Sequence, residues 1–253
     1  MKRIINGIAI LISIGVAPVQ LCHAQSGLGA VDVPVVGCPS NGQQGPLPLP
    51  KLKSARMTLS SGTAQRLAYY LFGAGRGGVL APRGWHCFGT YGSSGSALFV
   101  APEAFRTDNI FFENWTGFTG AVIELSISSG GTSGRFAVAQ VIARVFPEYR
   151  AFVHRVISEG IEPASDFPFG PMPSDTLRYL NDHEVEFRTA ANSPGLGTRG
   201  KIRKNGDPIE GAVLLVGEDT DLWQLSLRLP HGSEDLAKTV TRQFEHEAFP
   251  NKQ

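Results

Sequence analysis

The sequence predicts an α+β protein, a mostly antiparallel sheet with helices packed on one face. Two observations carry this. First, several segments alternate apolar and polar residues at period two, as strands with one buried and one polar face do; parallel strands covered on both sides read as continuous apolar runs instead. The clearest are Ile123, Leu125 and Ile127 alternating with Glu124, Ser126 and Ser128, and Trp223, Leu225, Leu227 and Leu229 alternating with Gln224, Ser226 and Arg228. Second, the order of the helical and strand patterns along the chain argues against a regular βαβ series.

The chain begins with an address. Met1-Lys2-Arg3 is basic, Ile4 to Val19 is almost wholly apolar, and Cys22 and Ala24 stand at the −3 and −1 positions of a cleavage site. This is the layout of a secretory signal peptide over residues 1–24. An uncleaved anchor is the weaker reading, because the apolar stretch is short for a span and contains Pro18. Acylation of Cys22 would need a small residue where Leu21 stands. No later stretch is apolar for long enough to cross a bilayer, so a periplasmic or secreted protein is expected, with no transmembrane segment after cleavage. Removing Cys22 leaves Cys38 and Cys87 as an even pair in an oxidising compartment, and a disulfide between them is expected. The whole chain of 253 residues carries 23 basic and 22 acidic side chains. That balance, with only 18% charged residues, speaks against a nucleic-acid binder.

Residues 25–57 are rich in glycine and proline and read as an extended, partly polyproline arm around Gly45-Pro46-Leu47-Pro48-Leu49-Pro50. Residues 58–253 then form one α+β domain, with a division near residue 160 compatible with the pattern. Ala64, Leu67, Ala68, Leu71 and Phe72 recur at helical spacing, stopped by Gly73-Ala74-Gly75. A strand follows through Trp85 to Phe88. Gly92-Ser93-Ser94-Gly95 turns into a second strand at Ala97 to Val100, and a third runs through Ala121 to Ile127. Phe136 to Phe146 reads as a buried helix; Tyr149, Phe152, Val153, Val156 and Ile157 form a second helical stripe, ended by Gly160. Pro163 to Pro173 is a loop with four prolines. Strands resume at Glu184 to Arg188, Gly211 to Val216 and Trp223 to Leu229, with a hairpin turn at Glu218 to Asp221. Ser233 opens a last helix whose apolar face is Leu236, Val240 and Phe244. No internal repeat is present.

Candidate sites each have a plainer reading. Gly130, Gly131, Thr132, Ser133 and Arg135 lie between a strand and a helix, where backbone N–H groups can cradle an anion; a tight turn capped by Thr132 or Ser133 explains them as well. Ser93 and Ser94 sit on a sharp turn, but the second glycine of a nucleophile elbow is missing, and a hairpin accounts for them. His86 could serve Ser93, Ser94 or Ser133 as a base, with Asp166 as a third member, although a strand histidine beside the disulfide is the simpler placement. Phe167 and Phe169 in the proline loop could bind a sugar or peptide if exposed, or pack inward. Arg199 to Lys204 is a basic run able to touch an anionic surface polymer or lipid headgroups, although a solvated loop explains it more simply. Asn114-Trp115-Thr116 fits a glycosylation acceptor. No metal or cofactor is expected: His-Glu-x-x-His is absent, and neighbouring ligands such as Asp182-His183-Glu184 or Glu245-His246-Glu247 diverge on a strand or helix.

The segments Val36 to Gln43, Leu80 to Cys87 and Gly160 to Gly170 resemble those of a group of uncharacterised secreted bacterial proteins, over most of the mature chain. The resemblance implies an envelope location and no catalytic residue. The function expected is therefore a non-catalytic domain that binds an envelope component or a partner protein. The alternative is a secreted hydrolase of ester, amide or glycan bonds working through a serine and His86.

Overall fold

The computed structural model describes residues 27–73, 77–104 and 115–249. The expected signal peptide, the Ala74-Gly75 helix stop and Asn114 of the glycosylation acceptor lie outside them. The protein is α+β, as expected, and is built around an eight-stranded sheet.

That sheet is formed by β2 (Ser40–Gly42), β6 (His86–Gly92), β7 (Gly95–Ala101), β8 (Val122–Ser128), β9 (Asp175–Asn181), β10 (Glu184–Thr189), β11 (Ile209–Val216) and β12 (Asp221–Arg228). Their order is β2-β6-β7-β8-β12-β11-β10-β9, antiparallel except for the β2–β6 edge. The hairpins are those the turn residues announce: Ser93-Ser94 between β6 and β7, and Gly217 to Thr220, with two positive φ angles, between β11 and β12. Strands from either side of residue 160 are joined in this one sheet, because β8 pairs with β12.

A four-stranded sheet packs against it. It contains β1 (Gly29–Gly37), β3 (Ser54–Leu59), β4 (Leu67–Leu71) and β5 (Val79–Pro82), in the order β3-β1-β4-β5. Much of the expected arm is therefore strand: Val31, Val33 and Val35 alternate with Ala30, Asp32 and Pro34, and the backbone pairs with β3 and β4. The expected helix over 64–72 is corrected too. α1 (Ser61–Arg66), capped by the Ser60 hydroxyl accepting from the Thr63 N–H, ends at Arg66. Leu67 to Leu71 continues as β4, buried between β1 and β5, because an unbroken apolar run rich in aromatics suits a central strand. The Cys38–Cys87 disulfide forms, and it ties the end of β1 to β6 across the two sheets.

The helices divide between the faces of the larger sheet. α2 (Arg135–Val145) and α3 (Arg150–Ser158) bury Val138, Ile142, Phe146 and Val153 against Val213, Leu215, Val185 and Phe187 on one face. Each such side chain, fully buried, contributes roughly 1.5–3 kcal/mol. On the opposite face the smaller sheet and α4 (Glu234–Ala248) share a core with Leu98, Ile123, Leu125 and Leu225. α4 begins at Ser233 as expected, although its hydroxyl makes no capping bond; the Glu234 carboxylate accepts the Gly232 N–H instead. The strand β9 has no counterpart in the sequence reading.

Candidate functional site

The face of the larger sheet that carries α2 and α3 is covered by them over β10, β11 and part of β12, and α2 also reaches β8. Register fixes what lies beyond. One row across the strands is Phe88, Phe99, Glu124 and Ser226; the next is Thr90, Ala97, Ser126 and Gln224; the third is Gly92, Gly95, Ser128 and Leu222. The alternation of β8 and β12 thus places Glu124, Ser126 and Ser128 with Gln224, Ser226 and Arg228 on this side. It does not leave them in water. Glu124 is 6% exposed, Gln224 7% and Arg228 3%.

Their cover is a loop, and the same polar groups hold it. Gln224 Nε2 donates to the Leu196 carbonyl at 2.9 Å and to Ser226 Oγ at 3.1 Å. Thr189 Oγ1 donates to Asp175 at 2.6 Å, and the Asp175 carboxylate accepts the Leu196 N–H at 2.9 Å. These bonds fix the turn over 195–198 that leads into Arg199. Farther along, Arg228 is buried among oxygens. It donates to the carbonyls of Gly120 (2.9 Å), Arg203 (2.7 Å) and Phe118 (3.3 Å) and to Asn205 Oδ1 (3.0 Å). It thereby clamps the segment 117–120 to the segment 201–205, which also pair directly through Phe118 and Ile202.

Glu124 lies beneath this loop and accepts the Lys201 N–H at 2.8 Å. Gly200 passes so close that a methyl group on its Cα would run into the Glu124 carboxylate, which is why glycine stands there. Around Glu124, Arg199, Lys201 and Arg203 line a cavity of about 480 Å³ together with Thr90, Ala97 and Phe99. Arg199 donates to Gln140 Oε1 at 2.6 Å, Lys201 Nζ sits 5.7 Å from the Trp115 ring centroid, and Arg203 Nε donates to the Thr116 carbonyl. Crowding by protein and the nearby Arg144 charge hold the Arg199 guanidinium below its usual value.

Burial pushes the Glu124 carboxyl up to about 7, against the opposing pull of the Lys201 and Ile202 N–H groups and of the Lys201 and Arg203 charges. An acid with a raised pKa binds its proton more tightly in the folded state than in the unfolded one. Its contribution is complete below the ordinary value of 4.5 and is lost as the pH rises through 7. For Glu124 alone that loss is about 3 kcal/mol. Glu245 on α4 acts in the same window, pushed up to about 7 by burial and by the carboxylates of Glu186 and Glu184 and drawn back by Arg178. The double variant Glu124→Gln/Glu245→Gln should flatten the fall in unfolding free energy between these pH values, measured by urea titration. An unchanged slope would refute the assignment.

Beside this cavity runs a trench of about 620 Å³, floored by Thr90, Ala97, Ser126 and Ser128 and walled by Ser133, Phe136, Gln140 and Glu162. The residues anticipated as site candidates distribute as follows. Ser93, Ser94 and Ser133 lie close together, because the Ser129 N–H donates to the Ser94 carbonyl and Gly134 abuts the same oxygen. His86 is exposed at the other end of β6, six residues from Gly92 and so about 20 Å along the strand. It neither packs inward nor reaches those serines. Asp166 is exposed in a 3-10 turn and accepts only from Ser165.

The 128–135 loop is a turn closed on itself. The Gly130 N–H is taken by Asp221, the Thr132 and Arg135 N–H groups by carbonyls of the loop, and Arg135 pairs with Glu159 at 2.5 Å. With Asp219 against Gly131, acidic groups occupy the place an anion would need. Phe167 is 1% exposed and packed with α2 and α3. Phe169 is 42% exposed, its ring 5.5 Å from that of His154 and beneath Arg150. The described residues hold no group of three or more His, Cys, Asp and Glu able to bind a metal, and no helix long and apolar enough to cross a membrane.

Glu124 and the basic loop were both visible in the sequence, as a strand's polar face and a charge run. Nothing there placed one over the other. The chain matches no family model, no curated protein and no solved structure.

Proposed function

We propose that the protein is an exported, non-catalytic binding module that holds an anionic envelope component in the cavity above Glu124. One observation carries the reading: three cationic side chains line that cavity, and among the described residues Glu124 is the only carboxyl in its walls. Among the described residues, Arg199 donates to an amide oxygen, Arg203 to a carbonyl, and Lys201 lies against an aromatic ring, so their charge is incompletely compensated. The disulfide is compatible with an oxidising, exported location. The resemblance to secreted bacterial proteins points the same way.

Dextran sulfate should bind, and neutral dextran should not. Binding should weaken with salt. Arg199→Met and Lys201→Met should each lower affinity about tenfold, the worth of one charge-assisted hydrogen bond. Equal binding of both polymers, or no effect of the two variants, would overturn the reading. A hydrolase is favoured by one observation only, a carboxyl near neutrality within the site, which suits a general acid. Product release from a bound glycan, abolished by Glu124→Gln, would replace the binding reading with that one.

A further inference from the structure

We infer that the ligand is an acidic oligosaccharide, with one carboxylate among Arg199, Lys201 and Arg203 and its neighbouring sugars lying along the trench toward Glu162. The inference rests on the anion-binding reading and extends it to the rest of the groove.

The cavity and the trench are one surface. Both are bordered by Thr90 and Ala97, and the bond between Arg199 and Gln140 bridges them, since Arg199 lines the cavity and Gln140 the trench. From Glu124 to Ser128 along β8 is about 13 Å, room for about two or three linked pyranose rings. The floor is low because small residues (Gly92, Gly95, Ala97) line the β6 and β7 strands on this side.

The lining asks for hydroxyl groups. Among the described residues, Ser126, Ser128 and Ser133 make no side-chain hydrogen bond, so each offers both a donor and acceptors. Glu162 walls the trench, and its buried Oε2 has no hydrogen-bond partner among the described residues, which leaves an acceptor that a small side-chain rotation would offer to a sugar hydroxyl. Phe136 adds an apolar wall, although the Arg135 guanidinium covers its ring at 4.5 Å from the centroid. A peptide fits less well, since the floor is the face of a sheet and not an edge that could pair with another strand. A nucleotide base would lack a second aromatic to stack between, and the 128–135 loop has spent its phosphate-binding donors on Asp221 and on its own carbonyls.

The test compares uronic acid monomers and trimers of three different sugars by calorimetry on the oxidised full-length mature chain. Trimers of at least one sugar should bind about tenfold more tightly than the monomer. Glu162→Gln, and separately Ser126→Ala/Ser128→Ala, should erase that advantage while leaving monomer affinity and the thermal midpoint unchanged. If dextran sulfate binds but monomer and trimer are equivalent, the saccharide inference fails and the anion-binding reading survives. If neutral trimers bind as well as acidic ones, the inference also fails. If neither dextran sulfate nor any uronate binds, the anion-binding reading fails and takes the inference with it.

Discussion

Arg228→Met should lower the unfolding free energy by about 3 kcal/mol, although the residue lies at the end of a strand and carries a charge. The guanidinium is 3% exposed and donates to three carbonyls and one side-chain amide oxygen from two separate segments. Methionine keeps the volume and removes every donor. The carbonyls of Gly120 and Arg203 would then lose the guanidinium beside the core patch of Val122, Ile202 and Ile209, while that of Phe118 keeps the Arg203 N–H. Burial lowers the Arg228 pKa, with Asp207 pulling the other way; this shift is the cost of holding a cation there, and the carbonyl bonds offset it. The variant should also raise hydrogen exchange at the Phe118 and Arg203 amides, which bond across the two clamped segments. Dextran sulfate binding should weaken with them, because Lys201 and Arg203 lose their fixed positions. A change within about 0.5 kcal/mol, typical of a surface site, would refute the clamp.

Loss of the disulfide should be costlier still. Cys38 and Cys87 are 49 residues apart in sequence, and in the chain-entropy account releasing such a loop costs about 4 kcal/mol. For a chain of this size that corresponds to a fall of roughly 8–16 °C in the thermal midpoint. The Cys38→Ser/Cys87→Ser variant and the reduced wild-type protein should agree. Beyond the entropy, the bond joins the end of β1 in the smaller sheet to β6 in the larger, next to the short parallel pairing of β2 with β6. The β2 edge should therefore exchange fastest in the reduced protein. Equal midpoints with and without reductant would show that the core between the sheets holds them without the bond.

Elements whose pattern depends on their own face were legible. α2, α3, β8, β10 and β12 each have an apolar side long enough to set the period, and each lies within a residue or two of where that period ends. β4 was misread because Leu67-Ala68-Tyr69-Tyr70-Leu71 is apolar throughout, so it satisfies a helical stripe as readily as a strand. Only the pairing with β1 and β5 decides. β9 was missed for the opposite reason: as an edge strand with Tyr179 and Leu180 exposed, it carries no clean alternation. β1 was hidden by the glycine and proline around it, although Pro34 is accommodated where β1 passes from β3 to β4 as partner.

The candidate site divides the same way. Glu124, Ser126 and Gln224 were legible as one polar face, because strand geometry alone fixes which side chains share a side. That this face is buried under Arg199 to Arg203 was not legible, since the loop reaches it from some seventy-five residues away and is held by Asp175 of β9 and by Gln224 and Arg228 of β12. The serines and His86 show the reverse: close in sequence, they are drawn apart by an extended strand that adds about 3.3 Å per residue. By itself, then, the sequence determined the α+β class, most helices and central strands, the export expectation and the cysteine pair, all properties of local periodicity and composition. The tertiary structure decided which polar residues share a low-dielectric pocket. Burial, not sequence spacing, is what brings Glu124 near neutrality, against the pull of the cations that the fold gathers above it.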